Sequence, residues 1–387
     1  MTVRSAAIPQ TTTPLHDRPS ARRLVRLDWF LLLATLLLVG YGLVMGYSIT
    51  LEDRTFTGDV VQQVMRAALY AVIGLSVMTI VALVDYAWLG TFAPILYLGT
   101  LGLLAIVLVI GSSTLGATRW VTIAGWKFQP SEFAKVFMIL VLAKWFADRS
   151  ASIRSPLVAV GGLALLAAPV GLVFRQPDLG TSLVFLGIFF GIAFIAGVRL
   201  WQLTAIVSVG VGALPVLWGS LKDYQRARLT AFLDPYGDPQ GAGWNIIQSL
   251  IAVGSGQATG KGLTAGTQSP LGYLPIAESD FVFSGLAEDL GFAGALILFA
   301  LYLVLLVSAT RIAHRARDAF GTYAAGGVAA MLAFQVVVNV GMAISLMPVT
   351  GIPLPFISQG GSSLISICLA LGVLQSISMR REVEAVG

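Results

Sequence analysis

Apolar stretches about twenty residues long recur along the chain, separated by short polar connectors. They fall at about 28–48, 67–88, 91–111, 132–147, 156–174, 182–198, 201–219, 282–309, 322–346 and 355–378. Each is near the length that a tilted helix needs to cross roughly 30 Å of hydrocarbon. The pattern predicts an all-α polytopic membrane protein of about ten transmembrane helices. Within one run, Gly187 and Gly191 form a small-residue pair at helical spacing, suited to close packing against a neighbour.

Two stretches interrupt this pattern. Residues 1–27 are polar, rich in Arg, Thr and Pro, and lack the short apolar core and small-residue cleavage site of a signal peptide. They predict a disordered cytoplasmic tail ahead of a membrane domain over 28–378, with a second cytoplasmic tail over 379–387. Residues 220–281 form the second stretch, a connection long enough to hold short helices of its own. In it, Gly243–Gly256 places Ile246, Ile247, Leu250 and Ile251 on one helical face, as an interfacial or re-entrant helix would.

Charge then orients the chain. With the N-terminus inside, the cytoplasmic connectors collect Arg149, Arg154, Arg199, Arg311, Arg315 and Arg317, whereas the short outer loops hold only Arg54, Arg66, Arg119, Lys127 and Arg175. Positive residues concentrate on the cytoplasmic side, so both termini are expected inside and 220–281 is expected to be one large extracytoplasmic loop. The net charge of +5 is scattered among connectors rather than gathered on one face, which points to topology and not to nucleic acid. The single cysteine, Cys368, sits in an apolar run, and the two histidines, His16 and His314, sit in a polar tail and a basic connector. Disulfide frameworks, thiolate metal sites and His-based triads are excluded, and acid–base work falls to carboxylates.

Against that sparse background, only 11% charged, the stretch GYLPIAESDFVFSGLAEDLG (272–291) carries Glu278, Asp280, Glu288 and Asp289. Spacing puts Asp280 in the first turn of the eighth membrane helix, at the outer membrane edge, where a carboxylate stays ionised; helix capping alone would also explain it. Glu288 and Asp289 fall about two turns deeper. WKFQPSEFAKVFMILVLAKWF (126–146) starts a helix at Pro130 and sets Glu132 and Lys135 at i,i+3, an intramembrane pair that either marks a site or pins helices together. RQPDLGTS (175–182) offers Arg175 to an anionic head group and Asp178 as a helix cap. DYQRARLTAFLDPYGDP (223–239) offers Arg226 and Arg228 for interfacial anchoring or phosphate contact. GSGQATGKG (254–262) departs from a phosphate loop at Ser255 and Gly262, leaving a flexible glycine hinge whose amides and Lys261 could meet a lipid phosphate. MPVTGIPLPFISQGGSSL (347–364), with three prolines and Gly360-Gly361, cannot begin as a regular helix and is expected to wall a polar cleft.

Taken in order, FQPSEFAK (128–135), QPDLGTS (176–182), YQRARLTAFLDP (224–235), GTQSPLGYLPIAESDFVFSGLAEDLG (266–291) and NVGMAISLMPVTGIPLPFISQGGSSL (339–364) resemble the SEDS family, the shape, elongation, division and sporulation proteins. The resemblance spans essentially the whole membrane region. Gly266–Gln268 and the GIPLPF of 351–356 look more like the elongation branch than the division branch. Gln359 stands where the family usually has Tyr.

The resemblance implies a ten-helix glycosyltransferase that polymerises lipid II into glycan strands at the outer face of the bacterial cytoplasmic (inner) membrane. It also implies a class B penicillin-binding transpeptidase as partner, within an elongation or division complex of membrane proteins. The family's essential aspartate falls on Asp280, and its helix-four acid and lysine fall on Glu132 and Lys135. Such an inverting transfer needs one base, which Asp280 supplies, and cations for the departing pyrophosphate. Lys135, Arg175, Arg228 and Lys261 are candidates, and Gln268 and Ser362, which lie in matching motifs, join Asp178 as candidate substrate contacts. No cofactor is implied except a divalent cation, Mg or Mn, for which no compact carboxylate cluster identifies ligands. A lipid flippase and a non-catalytic scaffold are the rival classes. The informative ionisable residues cluster towards the outer half, which favours an enzyme over a transporter, and a scaffold would not require Asp280.

Overall fold

The computed structural model describes residues 27–381 except 53–59, 115–116, 124–125, 222, 242, 269–272 and 274–278. Both expected tails lie largely outside the described residues, as does Glu278. The helices in chain order are α1 (Trp29–Glu52), α2 (Val60–Leu83), α3 (Tyr86–Thr91), α4 (Ala93–Ile110), α5 (Pro130–Ala147), α6 (Pro156–Arg175), α7 (Leu179–Ala196), α8 (Leu200–Ser220), α9 (Asp223–Leu233), α10 (Trp244–Ser255), α11 (Val282–His314), α12 (Ala319–Ala343) and α13 (Gly361–Met379). All but α3, α9 and α10 have 18 residues or more, which gives the ten long helices the hydrophobic pattern predicts. Eight of these ten combine the length and hydropathy of a membrane span. The other two are α5, which carries Glu132, Lys135 and Lys144, and α8, which is apolar over Leu200–Ala213.

Several boundaries differ from those the pattern predicts. The second helix covers Val60–Leu83 rather than 67–88, because its first turns admit Gln62, Gln63 and Arg66. It stops before Asp85, whose carboxylate accepts from the Ala87 amide and caps α3. The last helix starts at Gly361 rather than 355, after a proline-rich stretch that stays irregular, as proline's missing amide requires. The short outer loop expected around Arg119 and Lys127 carries a small antiparallel sheet. Strands β1 (Ser112–Thr114), β2 (Ala117–Ile123) and β3 (Trp126–Phe128) pair in the order β1-β2-β3.

Helix α5 lies at the centre of the bundle and touches α4, α6, α7, α12 and α13, while α13 runs along α2. Helix α7 packs on α12, where a side chain on Gly187 would strike Phe334 and one on Gly191 would strike the Ala330 methyl. The small-residue pair therefore serves close packing. At one end of the bundle the chain closes on itself. The Asp28 amide donates to Gln375 Oε1 (3.0 Å) and Gln375 Nε2 donates to the Asp28 carbonyl (2.9 Å). The start of α1 and the end of α13 thus share one face, as an even number of crossings demands.

Helix α11 is broken at Gly291, whose φ of 63° and ψ of −161° are closed to an L side chain. A break at membrane depth leaves amides and carbonyls that only protein can satisfy. The segment after α10 does so. Phe292 and Ala293 donate to the carbonyls of Gln257 (2.8 Å) and Ala258 (3.0 Å), and the amides of Lys261 and Gly262 donate to the carbonyls of Glu288 (3.0 Å) and Asp289 (2.9 Å). The glycine-rich stretch is therefore a plug seated in the break rather than a flexible hinge, and these two amides are committed to α11 instead of a phosphate. Helix α10 is also rotated from expectation. It buries Ile246, Gln248, Ser249 and Ala252 and leaves Ile251 exposed, because Ser249 turns inward to the Ser284 hydroxyl (2.6 Å) and the Ala343 carbonyl (2.7 Å). In a membrane, the apolar face is free to look outward.

Candidate active site

Asp280 lies two residues before α11, in a turn, and not in the first turn of the helix. Phe281 holds the N-cap position without a side-chain cap, so capping does not account for Asp280. Its backbone is held from two sides. Asn339 on α12 donates its Nδ2 to the Asp280 carbonyl (3.2 Å) and to the Ile352 carbonyl (2.8 Å). The Ser358 hydroxyl donates to the neighbouring Ser279 carbonyl (2.6 Å) while accepting from the Leu354 amide (2.8 Å). The irregular 347–364 segment is thus stitched to the turn that carries Asp280.

The side chain faces cations. A Cβ placed on Gly351 would stand 3.5 Å from Asp280 Oδ2 and 3.7 Å from Arg119 Nη1, so both groups lie against the same bare stretch of backbone. Arg119, on β2, also lies 3.7 Å from Asp178 Oδ1 and donates to the Pro177 carbonyl (3.1 Å). Asp178 is the cap of α7, accepting from the Thr181 amide (3.1 Å) and hydroxyl (2.8 Å). Arg228 on α9 joins Arg119 and Thr350 in lining a cavity of about 70 Å³ beside this cluster.

Asp280 keeps part of its surface open. Burial on its remaining sides pushes the carboxyl above the usual aspartate value. The Arg228 charge, the Ser279 hydroxyl at 3.2 Å and the Arg119 charge pull it back, and Asp178 adds a smaller upward push. The result is a carboxylate more basic than an exposed aspartate yet held ionisable by two guanidinium groups.

Three of the residues singled out in the sequence, Asp280, Asp178 and Arg228, come together here. The others stand apart. Lys135 Nζ lies 2.8 Å from Glu132 Oε1, both groups almost fully buried, so the pair closes within α5 rather than bridging two helices. Neither residue lines the cavity beside Asp280. Lys261 is engaged by Glu288 at 2.6 Å and by the Thr267 hydroxyl at 2.8 Å, and the Gln268 amide also turns to Glu288 (3.2 Å). The Lys261 ammonium is thus paired with the buried Glu288 carboxylate. The Ser362 hydroxyl accepts from the Gln129 amide (3.0 Å) and so supports the start of α5. Arg175 is exposed in the last turn of α6. Of the two arginines on α9, Arg226 anchors to the carbonyls of Trp218 (3.1 Å) and Gly219 (3.0 Å), leaving Arg228 to face Asp280.

Arg119 is the member of the site that sequence reasoning weighed only as a topology charge. Its signal was the alternation of β2, which sends Arg119 and Trp120 to opposite faces. Among the described residues no group of three or more His, Cys, Asp or Glu side chains is placed to hold a metal ion.

Ten long helices with an irregular wall and a carboxylate set between two guanidinium groups define a polytopic membrane enzyme. Residues 28–383 match the FtsW/RodA/SpoVE family, described as cell cycle proteins. The chain is 40% identical over 378 residues to the peptidoglycan glycosyltransferase MrdB of Escherichia coli K12, covering 95% of this chain and 98% of that one. It is 38% identical over 356 residues to the stage V sporulation protein E of Bacillus subtilis, covering 91% and 96%. A solved chain from a peptidoglycan synthase complex that coordinates polymerization and crosslinking superposes with a TM-score of 0.77 at 33% identity, over 91% of this chain and 97% of that one. The chain belongs to the FtsW/RodA/SpoVE family and is a multi-pass inner-membrane protein.

Proposed function

We propose that this peptidoglycan glycosyltransferase polymerises lipid II with Asp280 as general base. The observation that carries the reading is the Asp280 carboxylate itself: partly open, raised in basicity by burial, and fixed through its backbone by Asn339 and Ser358. The hydroxyl of the acceptor sugar gives its proton to Asp280 as its oxygen bonds to the anomeric carbon of the donor. The bond from that carbon to the diphosphate oxygen breaks, its electron pair leaves on the diphosphate, and the configuration inverts. Arg119 and Arg228 keep Asp280 ionised before the transfer and release its proton to water afterwards.

Asp280→Asn keeps the size of the side chain and cannot take the proton. Purified Asp280→Asn protein is expected to fold and bind lipid II while polymerising labelled lipid II about 10²–10⁴-fold more slowly. Polymerisation at the wild-type rate would remove the base assignment.

The finer role is elongation, supported by Gly266–Gln268 and Gly351–Phe356. Depletion in the native cell is expected to turn rods into spheres; filaments would assign the chain to division. The similarity to a chain from a synthase complex supports a class B transpeptidase as partner. Co-purification in mild detergent tests it, and two folded proteins that elute apart would count against it.

A further inference from the structure

Gln335, on α12, is fully buried, and neither its amide nitrogen nor its oxygen meets a hydrogen-bond partner among the described residues. Two further buried oxygens share this condition. One is Glu132 Oε2, the carboxylate oxygen that takes no bond from Lys135. The other is Asn339 Oδ1, whose nitrogen is already given to the Asp280 and Ile352 carbonyls. Interior polar groups are bonded either to protein or to ordered water, so these atoms call for an occupant.

The three side chains converge. Gly327, Met331, Gln335 and Asn339 form one i,i+4 row on α12, buried throughout. Glu132, Lys135 and Ile139 form a stripe on α5, also buried. The two rows meet where a side chain on Gly327 would stand 2.8 Å from Ile139 Cγ2. Phe334 takes the α7 side at Gly187, which leaves Gln335 on the flank of α12 away from that helix. The two helices run antiparallel, since the end of α12 is tied to the irregular wall by Asn339 and Ile352, and the start of α5 to the end of that wall by Gln129 and Ser362. From the Gly327–Ile139 contact, about two turns towards that wall, roughly 11 Å, lead to Gln335 on one helix and to Glu132 on the other. Asn339 lies one turn further on, against the Asp280 turn.

The chemistry of the set separates water from a cation. Glu132, Gln335 and Asn339 offer acceptor oxygens, but Gln335 also offers a donor nitrogen. Water serves both kinds of atom. A bare cation would serve the oxygens alone, and it would add a charge beside a Glu132–Lys135 pair that is already neutral. We propose that ordered water bridges Glu132 Oε2, Gln335 and Asn339 Oδ1, joining the α5 ion pair to the side chain that holds the Asp280 backbone, and that Gln335 is a positioning residue for the transfer. This assignment rests on the reading of Asp280 as base. The bridge fixes the Asn339 carboxamide at both ends, so the Asp280 carbonyl is held at one height relative to the incoming hydroxyl. Without it the carboxamide is fixed at its nitrogen alone, and a base displaced by about 1 Å loses on the order of 10²-fold in rate.

The test uses the purified full-length chain in detergent. A map fine enough to show ordered water is expected to place it within hydrogen-bond distance of both Glu132 Oε2 and the Gln335 amide. A direct Gln335–Glu132 hydrogen bond with nothing between them would overturn the assignment, and so would a peak there whose anomalous signal follows added thallium(I), which would mark a cation. Gln335→Leu keeps the bulk and drops both polar atoms. It is expected to keep the melting temperature and the KM for labelled lipid II while kcat falls about tenfold or more. Gln335→Asn can still bond water and is expected to stay within about threefold of the wild-type kcat. If Gln335→Leu does not fold, Gln335→Met carries the same expectation. Wild-type kcat in the apolar variant, with or without a lowered melting temperature, would overturn the positioning role, as would an equal loss of kcat in Gln335→Asn. The two readings fail separately: wild-type kcat in Gln335→Leu beside an inactive Asp280→Asn sinks the water bridge alone. An active Asp280→Asn beside a slow Gln335→Leu and a mapped water sinks the base alone.

Discussion

Arg119 stands 3.7 Å from Asp178 across the gap between β2 and α7, and the same guanidinium reaches over Gly351 towards Asp280. One cation is therefore shared by two carboxylates, one closing a helix and the other open to the cavity side. Asp178 fixes Arg119, and Arg119 in turn tempers Asp280.

The pH profile of polymerisation follows from this sharing. Burial raises the Asp280 carboxyl above the ordinary value near 3.9, so its base form is lost at higher pH than an exposed aspartate would lose it. The acid limb of the rate profile is expected above that ordinary value. Arg228→Gln, which removes the largest charge lowering it, should move the limb further up, and Arg119→Gln should move it by less. Single-turnover rates across pH check this; a limb that stays in place or moves down in Arg228→Gln would dissociate it from Asp280.

The Glu132–Lys135 pair is expected to behave as a buried ion pair. Lys135→Ala leaves Glu132 charged and alone in the membrane interior, at a cost of about 3–5 kcal/mol. Glu132→Leu/Lys135→Met should recover most of that loss, and the exchange Glu132→Lys/Lys135→Glu should stay folded and polymerise. Thermal unfolding in detergent and polymerisation of labelled lipid II measure the two halves. If the exchanged protein folds but makes no glycan, Lys135 has a partner beyond Glu132.

Glu288 is expected to matter for the plug in α11. Its buried carboxylate accepts from Lys261, from the Thr267 amide (2.8 Å) and hydroxyl (2.9 Å), and from the Gln268 amide. Glu288→Gln sets an amide against Lys261 and should cost about 3 kcal/mol, the scale of a broken buried pair. Faster proteolysis within 256–268 is the direct readout. Adding Lys261→Met should restore part of the protection, and equal cleavage of wild type and Glu288→Gln would show that the plug is held by its backbone alone.

Gly191 sets the approach of α7 to α12. Gly191→Ala drives a methyl into that of Ala330 and should destabilise the protein by about 1–3 kcal/mol. Adding Ala330→Gly reopens the space and should return most of the melting temperature. A double variant no more stable than Gly191→Ala would place the strain elsewhere.

The bundle was legible because hydrocarbon imposes one rule on every crossing helix, and runs of about twenty apolar residues obey it. The start of α2 was not, since Gln62, Gln63 and Arg66 look like connector residues until Gln63 is seen tied to Gln359. Asp280, Asp178 and Arg228 could be picked out as charges in the wrong solvent. Arg119 could not be separated from other loop arginines, because its role depends on how β2 folds against α7. The partner of Lys261 was hidden too: in the sequence the lysine stands beside glycines, and its carboxylate lies 27 residues on, in α11.

The break at Gly291 bears on how the protein is made. A helix entering the bilayer alone with that break would carry open amides at Phe292 and Ala293 and open carbonyls at Glu288 and Asp289, each costing several kcal/mol in hydrocarbon. Residues 257–262, which close all four, precede α11 in the chain and leave the ribosome first. The lock is therefore synthesised before the helix it completes, and α11 has its partner waiting as it emerges. Moving the plug to follow α11, with every contact preserved in the finished fold, would still expose the break for as long as the chain took to supply it.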